Sequence, residues 1–342
     1  MKRSGQSKAT VAEIAKRAAV SKATVDRVLN TRGGVQEHTR QHVLSVVREL
    51  TGDTPTAPTG LADPIKLDFV IPDHRNAFLS DQARHIESYC HSLDGVSMTI
   101  HHLTSADEEA VLEAISKIDA ASQGVGIISV DTAKVRHALR SLTDRKVPMV
   151  TLASDIRQIG RSAYIGIDNY AAGRLAGYLA GTLIPAPRTK TAIILGLRAY
   201  LGHEEREMGF RSVLRDQFPH IQIVAEREVA EDNIRARDTL LDLLKVHPDL
   251  EGIYCIGSGQ SGIVDALTSA GKAKSITVIG HGLTDGTRQY LIDGTMDVII
   301  NENAEEEARA AVDHLIAAAR GDALPAQPSI AIQAIFRENI PL

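Results

Sequence analysis

Two sets of side chains in this sequence have the types and spacing to do chemistry. The first is compact: Ser21, Lys22, Ala23, Thr24 and Arg27 fall within seven residues, and on a helix positions 22, 23 and 27 share one face. A face of short side chains and cations suits the major groove of duplex DNA. Lys22 and Ala23 would meet base edges, and Arg27, a turn further on, would reach guanine. Ser21, Thr24, Asn30 and Thr39 are of the type that holds phosphates, and Thr10, at the start of the preceding helix, completes this set. The second set is dispersed. Asn76 with Phe78, Asp131, Ser154 with Asp155, Ser258 with Gln260, His281 and Glu302 each stand just past an apolar run, while Glu204 and Arg206 open a helical stretch. Carboxylates, amides and an arginine pair with adjacent hydroxyls, and an aromatic ring stacks on a C–H face, so these residues suit a polyol such as a sugar or a sugar conjugate.

Nothing points to catalysis. The sequence has no phosphate loop of the Walker type, no G-x-S-x-G elbow and no Cys/His metal cluster. His85 and His91 are six residues apart and do not share a helix face. The expectation is therefore no enzyme, no metal and no cofactor. Cys90 and Cys255 lack metal-ligand spacing and read as reduced core thiols of a cytoplasmic protein. No apolar run is long enough to span a bilayer, and the N-terminus has no apolar signal core, so no membrane partner is expected.

The elements that position these residues follow from pattern. Residues 1–50 hold ten Lys/Arg against four Asp/Glu, a charge of +6, within a chain whose net charge is −5, leaving −11 for the remainder. A basic head on an acidic body assigns polyanion binding to the head alone. Thr10 with Glu13 forms a capping box for a helix whose apolar face is Val11, Ile14 and Ala15. After a break at Ala19-Val20, Ser21 caps a short helix that buries Val25 and Val28, and a third helix over 38–50 packs through Val43, Val46, Val47 and Leu50. Residues 51–64, with three prolines, two glycines and four threonines, read as a linker. From Ile65 short apolar runs alternate with amphipathic stretches. Strands are expected at 65–72, 96–102, 124–130, 147–152, 190–195, 221–225, 252–256 and 275–280. Helices are expected near 79–93, 107–121, 132–145, 170–184, 204–217, 232–246, 260–270 and 304–320. Such alternation gives an α/β fold of doubly wound parallel sheets. The length calls for two lobes dividing near residue 160, with ligands gathering beyond the carboxyl ends of the strands. Asp168 reads as a helix cap at the crossing between lobes.

The stretch TVAEIAKRAAVSKATVDRVLN, residues 10–30, resembles the helix-turn-helix of the lactose-repressor (LacI) family, whose pattern runs T-x-x-x-(V/I)-A-x-x-A-x-V-S-x-x-T-V-S-R-V-L-N. The resemblance continues through DHRNAFLS (73–80), PMVTLASDI (148–156), YIGIDNYAAGRLAG (164–177), EREMGF (205–210), HPDLEGIYCIGSG (247–259), ITVIGHGLTDGTR (276–288) and GTMDVIINEN (294–303). It implies a head at 1–50, a linker at 51–64 and a two-lobed effector-binding and dimerisation domain at 65–342, with the fold of periplasmic sugar-binding proteins. It also implies a homodimeric repressor of palindromic operator DNA, controlled by a small molecule bound between the lobes. Asn76, Phe78, Asp155, Arg206 and Glu302 are the foremost ligand candidates by this resemblance. The alternative is a sugar-binding protein without a regulatory DNA role, which the basic head and missing signal peptide oppose.

Departures from the family pattern are specific. Asp26 replaces the usual serine before Arg27, and residues 51–64 lack the hinge motif whose leucine wedges into the minor groove, so Leu61 is not placed to kink DNA. Gly257-Ser258-Gly259 replaces an Asn-Asp, Gly282 replaces an acid after His281, and Glu302 stands where glutamine is usual. One direct consequence concerns the head: Arg27→Ala should weaken operator binding by about 1–3 kcal/mol, and an unchanged gel-shift midpoint would remove Arg27 from the interface.

Overall fold

The computed structural model describes residues 10–29, 39, 42–43, 46, 64–184, 190–325 and 330–341. It divides into two compact units, Met1–Pro64 and Ile65–Leu342. The expected linker, apart from Pro64, lies outside the described residues, as does Asn30.

In the head, α1 (Val11–Arg17) starts on the expected capping box. The Thr10 side chain accepts from the Glu13 N–H, and the Glu13 carboxylate accepts from the Thr10 N–H at 2.8 Å. Such a cap contributes about 1 kcal/mol. Ala19, in a left-handed conformation, turns the chain, and the Ser21 hydroxyl accepts from the Thr24 N–H at 3.0 Å to start α2 (Lys22–Leu29). Ile14, Ala15, Ala18, Val25 and Val28 bury one small core together with Val43 and Val46. Val11, expected on that apolar face, is instead exposed. Of the third helix only positions 39, 42, 43 and 46 are described, all helical; Val47 and Leu50 lie outside the described residues.

The body holds two sheets. Strands β1 (Ile65–Ile71), β2 (Val96–His102), β3 (Gly124–Ile127), β4 (Met149–Leu152) and β5 (Ala163–Ile165) form the first in the order β2-β1-β3-β4-β5, all parallel. The register aligns Leu67 with Gly124, Val125 with Met149 and Val150 with Ala163. Strands β6 (Lys190–Leu195), β7 (Gln222–Glu228), β8 (Gly252–Ile256), β9 (Thr277–His281), β10 (Val298–Asn301) and β11 (Gln333–Ile335) form the second in the order β11-β10-β9-β8-β6-β7. Only β11 runs antiparallel, pairing Ile335 with Ile299 at the edge. Runs such as Phe69-Val70-Ile71 are wholly buried, as strands covered by helices on both faces must be. Asp68, inside such a run, is accommodated by His101, whose Nε2 lies 2.7 Å from its carboxylate.

Among the described residues, three strands, one α-helix and a 3-10 turn at Arg337–Asn339 add to the expected set. β5 and β11 have three residues each, too few to show a period, and β10 sits inside a segment legible only as a motif. The additional helix, Asp285–Asp293, starts from a capping pair, Thr284 and Thr287, that was not read as one. The segment 128–130 leaves the first sheet at Ile127 and continues as loop.

The division near residue 160 is also corrected. After β10 the chain returns to the first lobe, where helix Ala304–Arg320 buries Ala308, Ala311, Val312, Leu315 and Ile316 in that lobe's core. Gly124 lets it approach: a Cβ there would stand 3.2 Å from the Leu315 Cβ. The lobes are therefore not contiguous halves of the sequence. Leu315→Ala should cost about 3 kcal/mol through the cavity it leaves, read as a lower urea midpoint by circular dichroism; an unshifted midpoint would mean that the helix does not complete this core.

Candidate functional site

In the head, the outer face of α2 exposes Lys22, Ala23 and Arg27, while Val25 and Val28 hold the inner face. Ser21 and Thr24 share a hydrogen bond between their hydroxyls at 2.9 Å, and Thr24 is half-buried. Thr10 is exposed at its cap, and Thr39 is half-buried and helical. The sequence thus folds into a small apolar core whose second helix presents short and cationic side chains outward.

In the body, the carboxyl ends of both sheets open on one cavity of about 870 Å³, its mouth included. The first lobe contributes Asn76, Phe78 and Ser154, and the second contributes Arg206, Ser258, Gln260, His281 and Glu302. Eight of the eleven expected ligand residues are brought together. Three are not. Asp155 is held by the tight loop after β4: Arg161 binds it with both Nε and Nη2 at 2.5 Å, and the Thr151 hydroxyl donates to it at 2.7 Å. Asp131 pairs with Arg136 at 2.5 Å, one helical turn ahead. Glu204 points outward and is exposed. In each case a local partner or the helix phase directs the carboxylate away from the cavity.

Several of the eight also have structural duties. Asn76 caps helix Ala77–His91, accepting from the Leu79 N–H at 3.2 Å, and its amide donates across the cleft to Glu231 at 2.9 Å. The Ser258 hydroxyl donates to the Arg75 carbonyl at 3.0 Å, and the Ser154 hydroxyl accepts from the Gly202 N–H at 3.1 Å. Arg75 and Asp232 add an ion pair at 2.7 Å. The lobes are thus held together directly.

Arg206 is 4% exposed and organises the floor. Its Nε donates to Asn169 at 2.7 Å and its Nη2 to Glu302 at 2.5 Å. Asp168, as expected, caps helix Asn169–Leu183, its carboxylate accepting from the Ala171 N–H at 2.8 Å. His281 is buried, with Nε2 2.8 Å from the Tyr254 hydroxyl and Nδ1 3.8 Å from Glu302. Burial and the neighbouring Arg206 charge push the His281 pKa well down, so the ring is neutral.

Sequence reasoning missed Tyr200 and His203, which line the cavity, and Glu231, which lies behind it. His203 was within reach, standing three residues before Arg206 on one helix and so on the same face. Glu231 was not: two successive left-handed residues, Ala230 and Glu231, turn its carboxyl inward from a loop without local pattern. Cys90 and Cys255 are free and buried, and burial pushes the Cys90 thiol up to about 11.

Comparison with known proteins settles the family. Residues 67–323 match the family model for a periplasmic binding protein domain, and residues 4–51 match that of bacterial regulatory proteins of the lacI family. The chain belongs to the LacI family of regulators. This LacI-family chain is similar to the ribose operon repressor of Halalkalibacterium halodurans, at 26% identity over 288 residues, 83% of this chain and 80% of that one. It is 29% identical to the transcriptional regulator DegA of Bacillus subtilis over 218 residues, 61% of each. Its structure resembles GanP, a glucose-galactose binding protein from Geobacillus stearothermophilus, with a TM-score of 0.73 at 25% identity, covering 82% of this chain and 99% of that one. These relatives are regulators and sugar-binding proteins. Among the described residues no helix is long and apolar enough to cross a membrane.

The joint between the lobes of this regulator titrates. Burial raises the Glu231 carboxyl from 4.5 to about 7. A carboxyl with a higher pKa folded than unfolded takes up a proton on folding between those values, so its contribution is full at acid pH and is lost as pH rises through that window. Wild-type stability relative to Glu231→Gln should therefore fall by on the order of 2–3 kcal/mol between pH 4.5 and pH 7.5. Parallel denaturation profiles for the two proteins would contradict the assignment.

Proposed function

We propose that this chain is a transcriptional repressor that binds operator DNA through its head and is controlled by a sugar or sugar derivative bound between the lobes of its body. The observation that carries the reading is the presence, in one chain, of an outward cationic helix face at Lys22, Ala23 and Arg27 and a cavity lined from two lobes. Lys22, Ala23 and Arg27 contact bases, and Thr10, Ser21, Thr24, Asn30 and Thr39 lie along the phosphates. Phe78 stacks on the ligand, and Ser154, Ser258, Gln260, Arg206, His281 and Glu302 surround its polar edge. The names of the ribose operon repressor and of GanP favour a sugar.

The protein acts as a cytoplasmic homodimer on a palindromic operator, since a two-fold dimer presents its heads to two half-sites. A ligand that binds one lobe arrangement better than another shifts the dimer between arrangements and so changes head spacing. The chain carries no catalytic role in this reading.

A thermal-shift screen of mono- and disaccharides and sugar conjugates tests the body, because a ligand of the native state raises Tm by mass action. At least one compound should raise Tm and then change the gel-shift midpoint on DNA from upstream of the protein's own gene. If no such DNA is bound at low salt, the repressor reading fails, whatever the screen returns.

A further inference from the structure

One group of atoms in the effector cavity is richer in hydrogen-bond acceptors than its residue types suggest, because the protons of His203 and Gln260 are already committed. His203 enters the cavity from the first turn of helix Leu201–Gln217. Its Nδ1 lies 2.8 Å from the Leu197 carbonyl oxygen. A carbonyl only accepts, so Nδ1 carries the ring proton and Nε2 is left as a bare lone pair. The Leu197 N–H, at 3.3 Å from the same Nδ1, is the longer and weaker approach. Burial, with the Arg206 charge beside it, lowers the ring to about 3, so a second proton does not cancel this lone pair at neutral pH.

Two more acceptors stand with it. Both amide hydrogens of Gln260 are engaged, donated to the Gly257 and His281 carbonyls at 2.8 and 3.0 Å, which leaves its Oε1 to accept. Glu302 uses Oε2 for Arg206 and keeps Oε1. His281 Nδ1 stands 3.8 Å from that oxygen, beyond hydrogen-bond reach. The buried Tyr254 hydroxyl has His281 Nε2 as its hydrogen-bond partner among the described residues, so the phenol donates and the His281 proton sits on Nδ1, the nitrogen nearest Glu302. Formal charge facing the cavity is matched: Arg206 by Glu302, and Arg75 by Asp232.

The place of His203 is reserved by the backbone. Gly257 has φ +86°, and a Cβ there would fall 2.6 Å from Cε1 and 2.8 Å from Nε2 of the imidazole. Any other residue at 257 would displace the ring.

The geometry points to an uncharged polyol as the effector, its adjacent hydroxyls donating to His203 Nε2, Gln260 Oε1 and Glu302 Oε1, with His203 as a specificity-determining residue. This rests on the reading of the cavity as the effector site. A carboxylate or phosphate placed against the same three atoms would leave water to face two lone pairs and the Glu302 carboxylate, while Arg206 is already balanced by that carboxylate. A protonated amine would need negative charge that Arg206 already balances.

Calorimetric titration of the full-length protein with matched pairs tests this: D-ribose with D-ribonate, D-glucose with D-gluconate and glucose 6-phosphate, D-galactose with D-galactonate, and myo-inositol with its monophosphate. A neutral member should bind at least tenfold more tightly than its charged counterpart. His203→Phe, which keeps a ring but has no lone pair, should lose at least tenfold affinity for that compound, and His203→Gln should recover part of it. Tighter binding of a charged member, or undiminished binding by His203→Phe, overturns the inference and leaves the repressor reading standing. If no pair binds, the inference and the sugar reading fall together, while the operator gel shift still judges the DNA-binding half. Long-range proton–nitrogen NMR on histidine-labelled protein gives a check that needs no ligand and no variant: a proton on His203 Nε2 overturns the assignment.

Discussion

A guanidinium buried this deeply must meet a countercharge, and the body is arranged around that requirement. Arg206 donates to Glu302, which follows β10 where the chain passes back to the first lobe, and to Asn169, which opens the helix after the chain first leaves that lobe. One side chain therefore ties together two of the crossings between lobes. Removing either partner of a buried pair strands the other charge and costs about 3–5 kcal/mol. Tyr164 extends the arrangement: its hydroxyl accepts from the Asn169 amide at 2.9 Å and donates to the Ile167 carbonyl at 2.9 Å. The floor of the cavity and the pivot between the lobes are one hydrogen-bonded structure.

Above that floor, the lobes meet through neutral and charged contacts of their own. Asn76 reaches Glu231, Ser258 reaches the Arg75 backbone, and Arg75 reaches Asp232. Each of these residues stands directly beyond a strand of its sheet, so closure is set by strand ends rather than by mobile insertions. A molecule that parts these contacts on entering must replace or restore them. Its affinity is therefore the difference between two sets of polar bonds.

What was legible in the sequence was local. The head could be read because its helices begin on side-chain caps within three residues, Thr10 with Glu13 and Ser21 with Thr24. The long strands could be read because burial on both faces leaves unbroken apolar runs. Ser154, Ser258 and His281 fell into place because strand ends converge wherever parallel sheets face each other. What depended on distant or sterically hidden partners was not legible. Asp155 has the composition of a ligand residue, but Arg161 waits six residues on to hold it. Glu231 has the composition of a surface acid, but two left-handed residues turn it inward. The helix Ala304–Arg320 was recognisable as a helix, while its lobe was not, since an amphipathic face does not record which core it will cover.

That last helix has a consequence for how the chain comes off the ribosome. The first lobe's strands are complete by Ile165, yet Ala308, Ala311, Val312 and Leu315, which seal one side of its core, are synthesised some 140 residues later. At about 5–20 residues per second, the interval lasts on the order of ten seconds. Throughout it the nascent first sheet lacks the helix that covers part of one face, and the second lobe's strands β6 to β10 must be synthesised before the first lobe can close. The interval between β5 and helix Ala304–Arg320 is therefore a window in which the first lobe's apolar surface is exposed to misassociation.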